Sequence, residues 1–173
     1  MSIFQMNNIS FRQLKDPVIL IAAGLGSGLA PKAPGTAGTV IAIPLYLLMQ
    51  PLPLITYLVI TTCLFIAGIW ICTYSAEKLG VHDHPSIVFD EIVGYLITMI
   101  AVPAGWFPVV AGFILFRLLD AIKPWPISWF DRNINGGLGI MLDDVIAGVI
   151  AMAIIQGLLY FQILRCDTFL AFC

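Results

Sequence analysis

The sequence predicts an all-α protein, a polytopic membrane helical bundle with helix hairpins and a Gly/Pro-interrupted N-terminal segment. Composition is the first reason. Of 173 residues, 60% are hydrophobic and 10% charged, with a mean hydropathy of +1.00. A soluble domain carries about 25% charged residues, and one this apolar has no means of covering its own surface. The second reason is a charge-free run over residues 54–76, which suits the ~20 residues that cross a bilayer. The third is a set of prolines that divides the apolar stretches into pairs. With no linker, repeat or low-complexity segment, residues 1–173 form a single membrane-embedded domain whose residues 1–16 are a cytoplasmic N-terminal arm.

The elements follow in order. Residues 1–16 are polar and mixed, and residues 17–29 are apolar but too short to span. From Gly26 to Thr39, Pro and Gly recur every few residues and exclude a continuous helix. Residues 40–50 are apolar, Pro51-Leu52-Pro53 marks a turn, and 54–76 complete the first hairpin. A polar connector at 77–86 holds Lys78, His82, Asp83 and His84. Residues 87–102 and 109–122 form a second pair of apolar helices about a turn at 103–108, where Trp106 and Phe107 suit a lipid interface. The connector 123–139 contains Trp125, Trp129, Asp131 and Arg132, and residues 140–164 form the last apolar helix.

Folded this way, both proline turns lie on one face. The Gly/Pro segment, both connectors and every internal acidic residue lie on the other. Arg12, Lys15, Lys32, Lys78, Arg117, Lys123 and Arg132 share the acidic face, against Arg165 alone opposite. The positive-inside rule makes the acidic face cytoplasmic. A net charge of −2 gives no pull toward nucleic acid, so none is expected as a partner. The four cysteines, Cys63, Cys72, Cys166 and Cys173, form no CxxC pair and suggest neither a zinc site nor a redox motif.

Asp90, Glu91, Asp120, Asp143 and Asp144 each fall about one turn inside an apolar helix. A charge near a bilayer centre costs on the order of 2.5–3.5 kcal/mol, so such residues are by default functional. The dipole at a helix start accounts for Asp90 or Asp143 alone. It does not account for Asp120 at a helix end, nor for two adjacent pairs. Converging carboxylates without thiolates imply a hard cation with oxygen ligands, Mg²⁺. His82 and His84 read equally as acid/base groups and as polar loop residues. The loop 33–39 offers backbone N–H groups and the hydroxyls of Thr36 and Thr39 ahead of a helix, which suits an anion; residues 135–139 have the same character. Lys32, Arg117, Lys123 and Arg132 add positive charge on that face. Headgroup anchoring explains Lys32 and Lys123 equally well, and Arg117 has Asp120 within reach at i,i+3. No Cys-x5-Arg loop or Gly-x-Ser-x-Gly elbow is present, which argues against thiol and triad chemistry.

At these residues the sequence resembles the phosphatidylglycerophosphatase A family. The matching motifs are Gly26-Ser27-Gly28-Leu29 with Pro34-Gly35-Thr36, Val81-His82-Asp83-His84 with Asp90-Glu91, and Phe116-Arg117-Leu118-Leu119-Asp120 with Lys123-Pro124-Trp125-Pro126-Ile127. Asp131-Arg132 and the run from Gly136-Gly137 to Met141-Leu142-Asp143-Asp144 complete them. The resemblance covers about residues 17–164. It implies a multi-pass enzyme of the bacterial inner membrane, active on its cytoplasmic face, with Mg²⁺ as cofactor. Its substrate would be phosphatidylglycerophosphate, hydrolysed to phosphatidylglycerol and phosphate in phospholipid biosynthesis. The candidate catalytic residues are then Asp83, Asp90, Glu91, Asp120, Asp143 and Asp144, with the last five as metal ligands. Thr36, Arg117, Lys123 and Arg132 are the candidate phosphate-binding residues. Ser128 and Asn135 stand where the family pattern has Arg and His, and neither receives a role. The alternative is a small transporter or ion-coupled channel using the acidic cluster. It needs polar residues at mid-membrane depth, whereas the middles of 54–76 and 145–164 are nearly free of charge and the acids lie at one face.

Overall fold

The computed structural model describes residues 9, 13–81 and 84–161. Among the described residues there are helices and turns and no strand, as the sequence predicts. Helix α1 (Pro17–Ala22) starts at Asp16, whose carboxylate accepts from Val18 N at 3.0 Å and from the Tyr74 hydroxyl at 2.8 Å. Two 3-10 turns follow at Gly24–Leu29, broken where Leu25 and Gly26 take positive φ of 56° and 99°. The longer helices are α2 (Pro34–Met49), α3 (Leu54–Leu79), α4 (Phe89–Thr98), α5 (Trp106–Ile122) and α7 (Gly136–Tyr160), with a short α6 (Ile127–Asn133) in the last connector.

Several boundaries differ from the sequence reading. Helix α2 begins at Pro34, so Thr36 and Thr39 belong to its first turns and not to a loop ahead of it. Proline is well suited to a first helical position, because its missing N–H would have no partner there and its φ is already set. Helix α5 takes in Pro108 for the same reason, since that residue falls within its first turn. Helix α7 starts at Gly136, which puts Asp143 and Asp144 two turns inside it. A dipole effect limited to the first turn no longer accounts for either residue.

Hydrogen bonds between helices set the directions of the chain. The Tyr46 hydroxyl donates to Val102 O at 3.5 Å, Tyr57 to Leu96 O at 2.7 Å, and Tyr95 to Val109 O at 3.1 Å. The two proline turns, at 50–53 and 99–105, therefore meet at one end, around a cavity of about 130 Å³ walled by Tyr46, Gln50, Tyr57 and Met99. At the other end lie the starts of α2, α4 and α7 and the ends of α3 and α5. The described charged residues all belong to that end. No described residue from 44 to 76 or from 145 to 161 is charged.

Helix α4 is the pivot. It is ten residues long, about 15 Å, and eight of the ten are buried. It runs parallel to α7 at very short range. A Cβ placed on Gly148 would land on the Gly94 carbonyl oxygen, and one on Gly94 would meet the Asp144 carbonyl and the Phe116 ring. Small residues let helix backbones approach in this way, and dispersion and weak Cα–H···O contacts then hold them. Thr98 Oγ1 adds a bond to Gly94 O at 3.0 Å and lies 3.5 Å from Gly148 O.

Gly148→Val should therefore force α4 and α7 apart and cost about 1–3 kcal/mol or more. Gly157→Ala is the control, because a Cβ there meets nothing within 4 Å. Thermal unfolding of the purified variants in detergent checks the pair. Equal melting temperatures would show that the α4–α7 approach is not tight.

Candidate functional site

The close α4–α7 contact carries the acidic residues with it. Asp90 and Glu91 occupy the first turn of α4, and Asp144 lies one turn before Gly148 on α7. Ligand oxygens of Asp90, Glu91 and Asp144 all lie within 4.8 Å of one another. Asp144 is 2% exposed and Asp90 8%. Asp120 and Asp143 also neighbour Asp144, so five carboxylates gather at one end of the bundle.

Two cations stand against them. Arg117 Nη1, from α5, contacts Asp120 Oδ2 one turn on and lies 3.9 Å from Glu91 Oε1. Lys123 Nζ donates to Asp143 Oδ2 and to Asp131 Oδ1, each at 2.5 Å. Lys123 takes a left-handed backbone conformation (φ 45°, ψ 56°) at the end of α5. That conformation costs a residue with a Cβ roughly 1–2 kcal/mol. Burial works to lower the Lys123 ammonium, and its bonds to Asp131 and Asp143 outweigh that and hold it above its ordinary value.

The charge is not balanced inside the cluster. Glu91 Oε2 and Asp144 Oδ2 are buried and have no hydrogen-bond partner among the described residues. Buried carboxylate oxygens without partners are costly, and a bound cation removes the cost. The donor set is oxygen throughout, with no thiolate or imidazole in it. Such a set fits a hard divalent ion better than zinc or copper.

The first turn of α2 closes one side. A Cβ on Gly35 would collide with Glu91 Oε1 and crowd Arg117 Nη1. Gly35 therefore lets the start of α2 rest directly on the Glu91–Arg117 pair. Thr36, next in sequence, is half-buried, whereas the Thr39 hydroxyl is committed to Gly35 O at 2.9 Å.

The remaining candidates are dispersed. Arg132 is exposed on α6 and makes no ion pair with a described residue, and Lys32 is exposed in the loop before α2. His84 is buried, and its Nδ1 accepts from Ser86 N at 3.1 Å, a bond within the connector. Asp83 and His82 lie outside the described residues, as do Arg12 and Arg165. The sequence reading quotes Gly35 and Asp131 within its motifs but assigns neither a site role. Asp131 was available as a signal, being the sole acid of the 123–139 connector that holds Lys123. The packing of Gly35 on Glu91 and Arg117 had none, because it comes from α4 and α5 meeting the start of α2.

Comparison with known proteins accords with this geometry. The family model for phosphatidylglycerophosphatase A matches residues 20–159. A protein of that name from Escherichia coli strain K12 is 49% identical over 150 residues, covering 86% of this chain and 85% of its own. One from Haemophilus influenzae is 39% identical over 155 residues, covering 87% and 93%. A protein from Bacteroides thetaiotaomicron with the provisional name phosphatidylinositol-3-phosphatase is 38% identical over 146 residues, covering 79% and 90%. No solved structure matches the chain. The extent of the family match and the two identities of 39% and 49% place this chain in the phosphatidylglycerophosphatase A family, and it is a phosphatase.

Proposed function

We propose that the protein hydrolyses phosphatidylglycerophosphate to phosphatidylglycerol and phosphate in phospholipid biosynthesis, with Mg²⁺ as cofactor. The carrying observation is the set Asp90, Glu91 and Asp144, three converging carboxylates with two partnerless buried oxygens, in a member of this family. Asp90, Glu91 and Asp144 would hold the ion, with Asp120 and Asp143 as further ligands beside them. Mg²⁺, when bound, neutralises phosphate oxygens and lowers the pKa of a water.

The protein's own groups do the rest. Arg117 is positioned to donate to phosphate oxygens, with Thr36 and the start of α2 alongside. Arg132 attracts the anionic headgroup from the exposed side. Lys123 has both its carboxylate partners at 2.5 Å, so its proposed part is to fix Asp143 rather than to bind phosphate. Asp120 and Asp143, each held by a cation, are the residues from which a general base is drawn. Asp83 joins the catalytic set on the sequence alone.

The whole chain is read as one domain in the bacterial inner membrane, with the acidic face cytoplasmic. Two helices, Leu54–Leu79 and Gly136–Tyr160, are long and apolar enough to cross a membrane. Exposed apolar side chains support the bilayer, among them Ile55, Val59 and Ile66 on α3 and Val110, Ile114 and Leu118 on α5. With the described Lys and Arg residues all at one end, the positive-inside rule gives the orientation. A reporter inserted in the 82–86 connector should read as cytoplasmic, and one fused after Arg165 as periplasmic. A cytoplasmic reading after Arg165 would sink the hairpin arrangement.

Asp90→Asn and Asp144→Asn should each lower turnover by roughly a hundredfold or more and weaken Mg²⁺ binding in titration calorimetry at least about tenfold. Circular dichroism in detergent should stay unchanged. Unaltered Mg²⁺ affinity in both variants would remove the cluster as the ion's site. Phosphatidylinositol 3-phosphate, suggested by the Bacteroides relative's name, is the competing substrate to assay beside phosphatidylglycerophosphate.

Thr36→Ala should slow turnover more than Lys32→Ala does. A hydrogen bond to a charged group contributes roughly 1.5–3 kcal/mol, so its loss in the transition state amounts to about ten- to a hundredfold. Equal turnover of Thr36→Ala and the parent, measured per folded protein, would take the start of α2 out of the catalytic assignment.

A further inference from the structure

Apart from Asp131 and Arg132, helix α6 has no part in the phosphatase chemistry above, yet it is built in an unusual way. It is seven residues long and buries Ile127 completely. On its other side Trp129 is 51% exposed, and just before it Trp125 is 80% exposed. Two large aromatic residues in the open, at the charged end of the bundle, are costly in water.

Three observations say what covers them. The exposed stripe Val110, Ile114, Leu118, Ile122 climbs α5 with a spacing of four residues and ends immediately before the α6 segment. The tryptophans therefore continue an apolar surface toward the charged end. On α3 the same end of the bundle carries Trp70 stacked on Tyr74 (ring centroids 5.7 Å apart), with Lys78 Nζ 5.5 Å from the Tyr74 ring. Indole, phenol and ammonium in that order are the chemistry of a membrane–water boundary. Finally, Asp131 is paired with Lys123, whereas Arg132 has no ion-pair partner among the described residues, and its charge complements phosphate headgroups.

We propose that α6 lies in the plane of the membrane surface and that Trp125 and Trp129 seat in the phospholipid headgroup layer beside the acidic cluster. This deepens the phosphatase reading and rests on its bilayer placement. The seat is tied to the site by one side chain. Lys123 bridges Asp131 of α6 and Asp143 of α7, so the depth of α6 fixes the height of the cluster relative to the lipid phosphates. A lipid phosphate monoester then presents its phosphate at the level of the carboxylates without leaving the leaflet.

The test uses the full chain in vesicles of phosphatidylethanolamine and phosphatidylglycerol. Trp70→Phe with Trp106→Phe leaves Trp125 and Trp129 as the only tryptophans of the four. Lipids brominated next to the headgroup should quench their fluorescence severalfold more than lipids brominated at the chain end. Quenching by aqueous iodide alone, or equally by both lipids, overturns the proposal. Trp125→Ala with Trp129→Ala should slow turnover of vesicle-embedded phosphatidylglycerophosphate by about tenfold. It should leave a short-chain, water-soluble form of the same lipid within about twofold. Equal slowing of both would assign the tryptophans to packing of the site and overturn the proposal. So would a change in oligomeric mass on light scattering without a quenching difference, which would assign the face to a second copy. If no variant, nor the parent, has phosphatase activity, the quenching still reports on α6, so the two readings fail separately.

Discussion

Everything at the charged end depends on how closely α4 and α7 approach. Asp90 and Glu91 lie on one helix and Asp144 on the other, and like charges resist being brought together. Gly94 and Gly148, one turn inside, let the two backbones come into contact, and the Thr98 hydroxyl bonds across the same place. The helices run parallel, so the acidic first turn of α4 lies beside the Asp143–Asp144 turn of α7 at the same end. With longer side chains at Gly94 and Gly148 the cluster would open. Packing in the apolar interior thus sets the geometry of the polar site.

The arrangement of cations follows from that crowding. Arg117 and Lys123 do not neutralise the cluster evenly. Each is committed to acids at its margin, Arg117 to Asp120 and Lys123 to Asp143 and Asp131. At the centre, beside Asp90, Glu91 Oε2 and Asp144 Oδ2 are buried with no hydrogen-bond partner among the described residues. Such a site is unfavourable alone, and a bound cation would offset that cost and couple its binding to the order of the surrounding helices. Gly35 adds a second dependence, since the start of α2 rests on the Glu91–Arg117 pair.

Much of this was readable from sequence because bilayer-scale patterns are coarse. Long apolar runs gave α3 and α7 to within a few residues, and the prolines at 51, 53 and 103 marked the turns that meet at the far end. The carboxylates were recognisable by their cost in apolar segments. Helix starts were less legible. Pro34 and Gly136 read as loop residues but begin α2 and α7, because a proline or glycine at a first turn loses nothing that tertiary packing does not restore. Helix α6 is too short for periodicity to reveal. The Asp143 partner of Lys123 was invisible, since it is twenty positions away and is brought near only by the fold.

The interior below the cluster also bears on what kind of protein this is. A transporter built on the same acids would need a polar route past them. One turn inside, the fully buried rings of Tyr95 and Phe116 pack edge to face at 6.5 Å, and Tyr46 packs on Tyr95 at 6.3 Å. The Phe116 ring lies against Gly94, directly beneath the α4–α7 contact. The hydroxyls of Tyr46, Tyr57 and Tyr95 are spent on the backbone carbonyls of Val102, Leu96 and Val109, so these three do not form a relay of mobile donors. An aromatic layer of this kind closes the bundle under the carboxylates. The acids gather on one side of that layer, at the charged end of the bundle, an arrangement that suits a phosphatase better than a transporter.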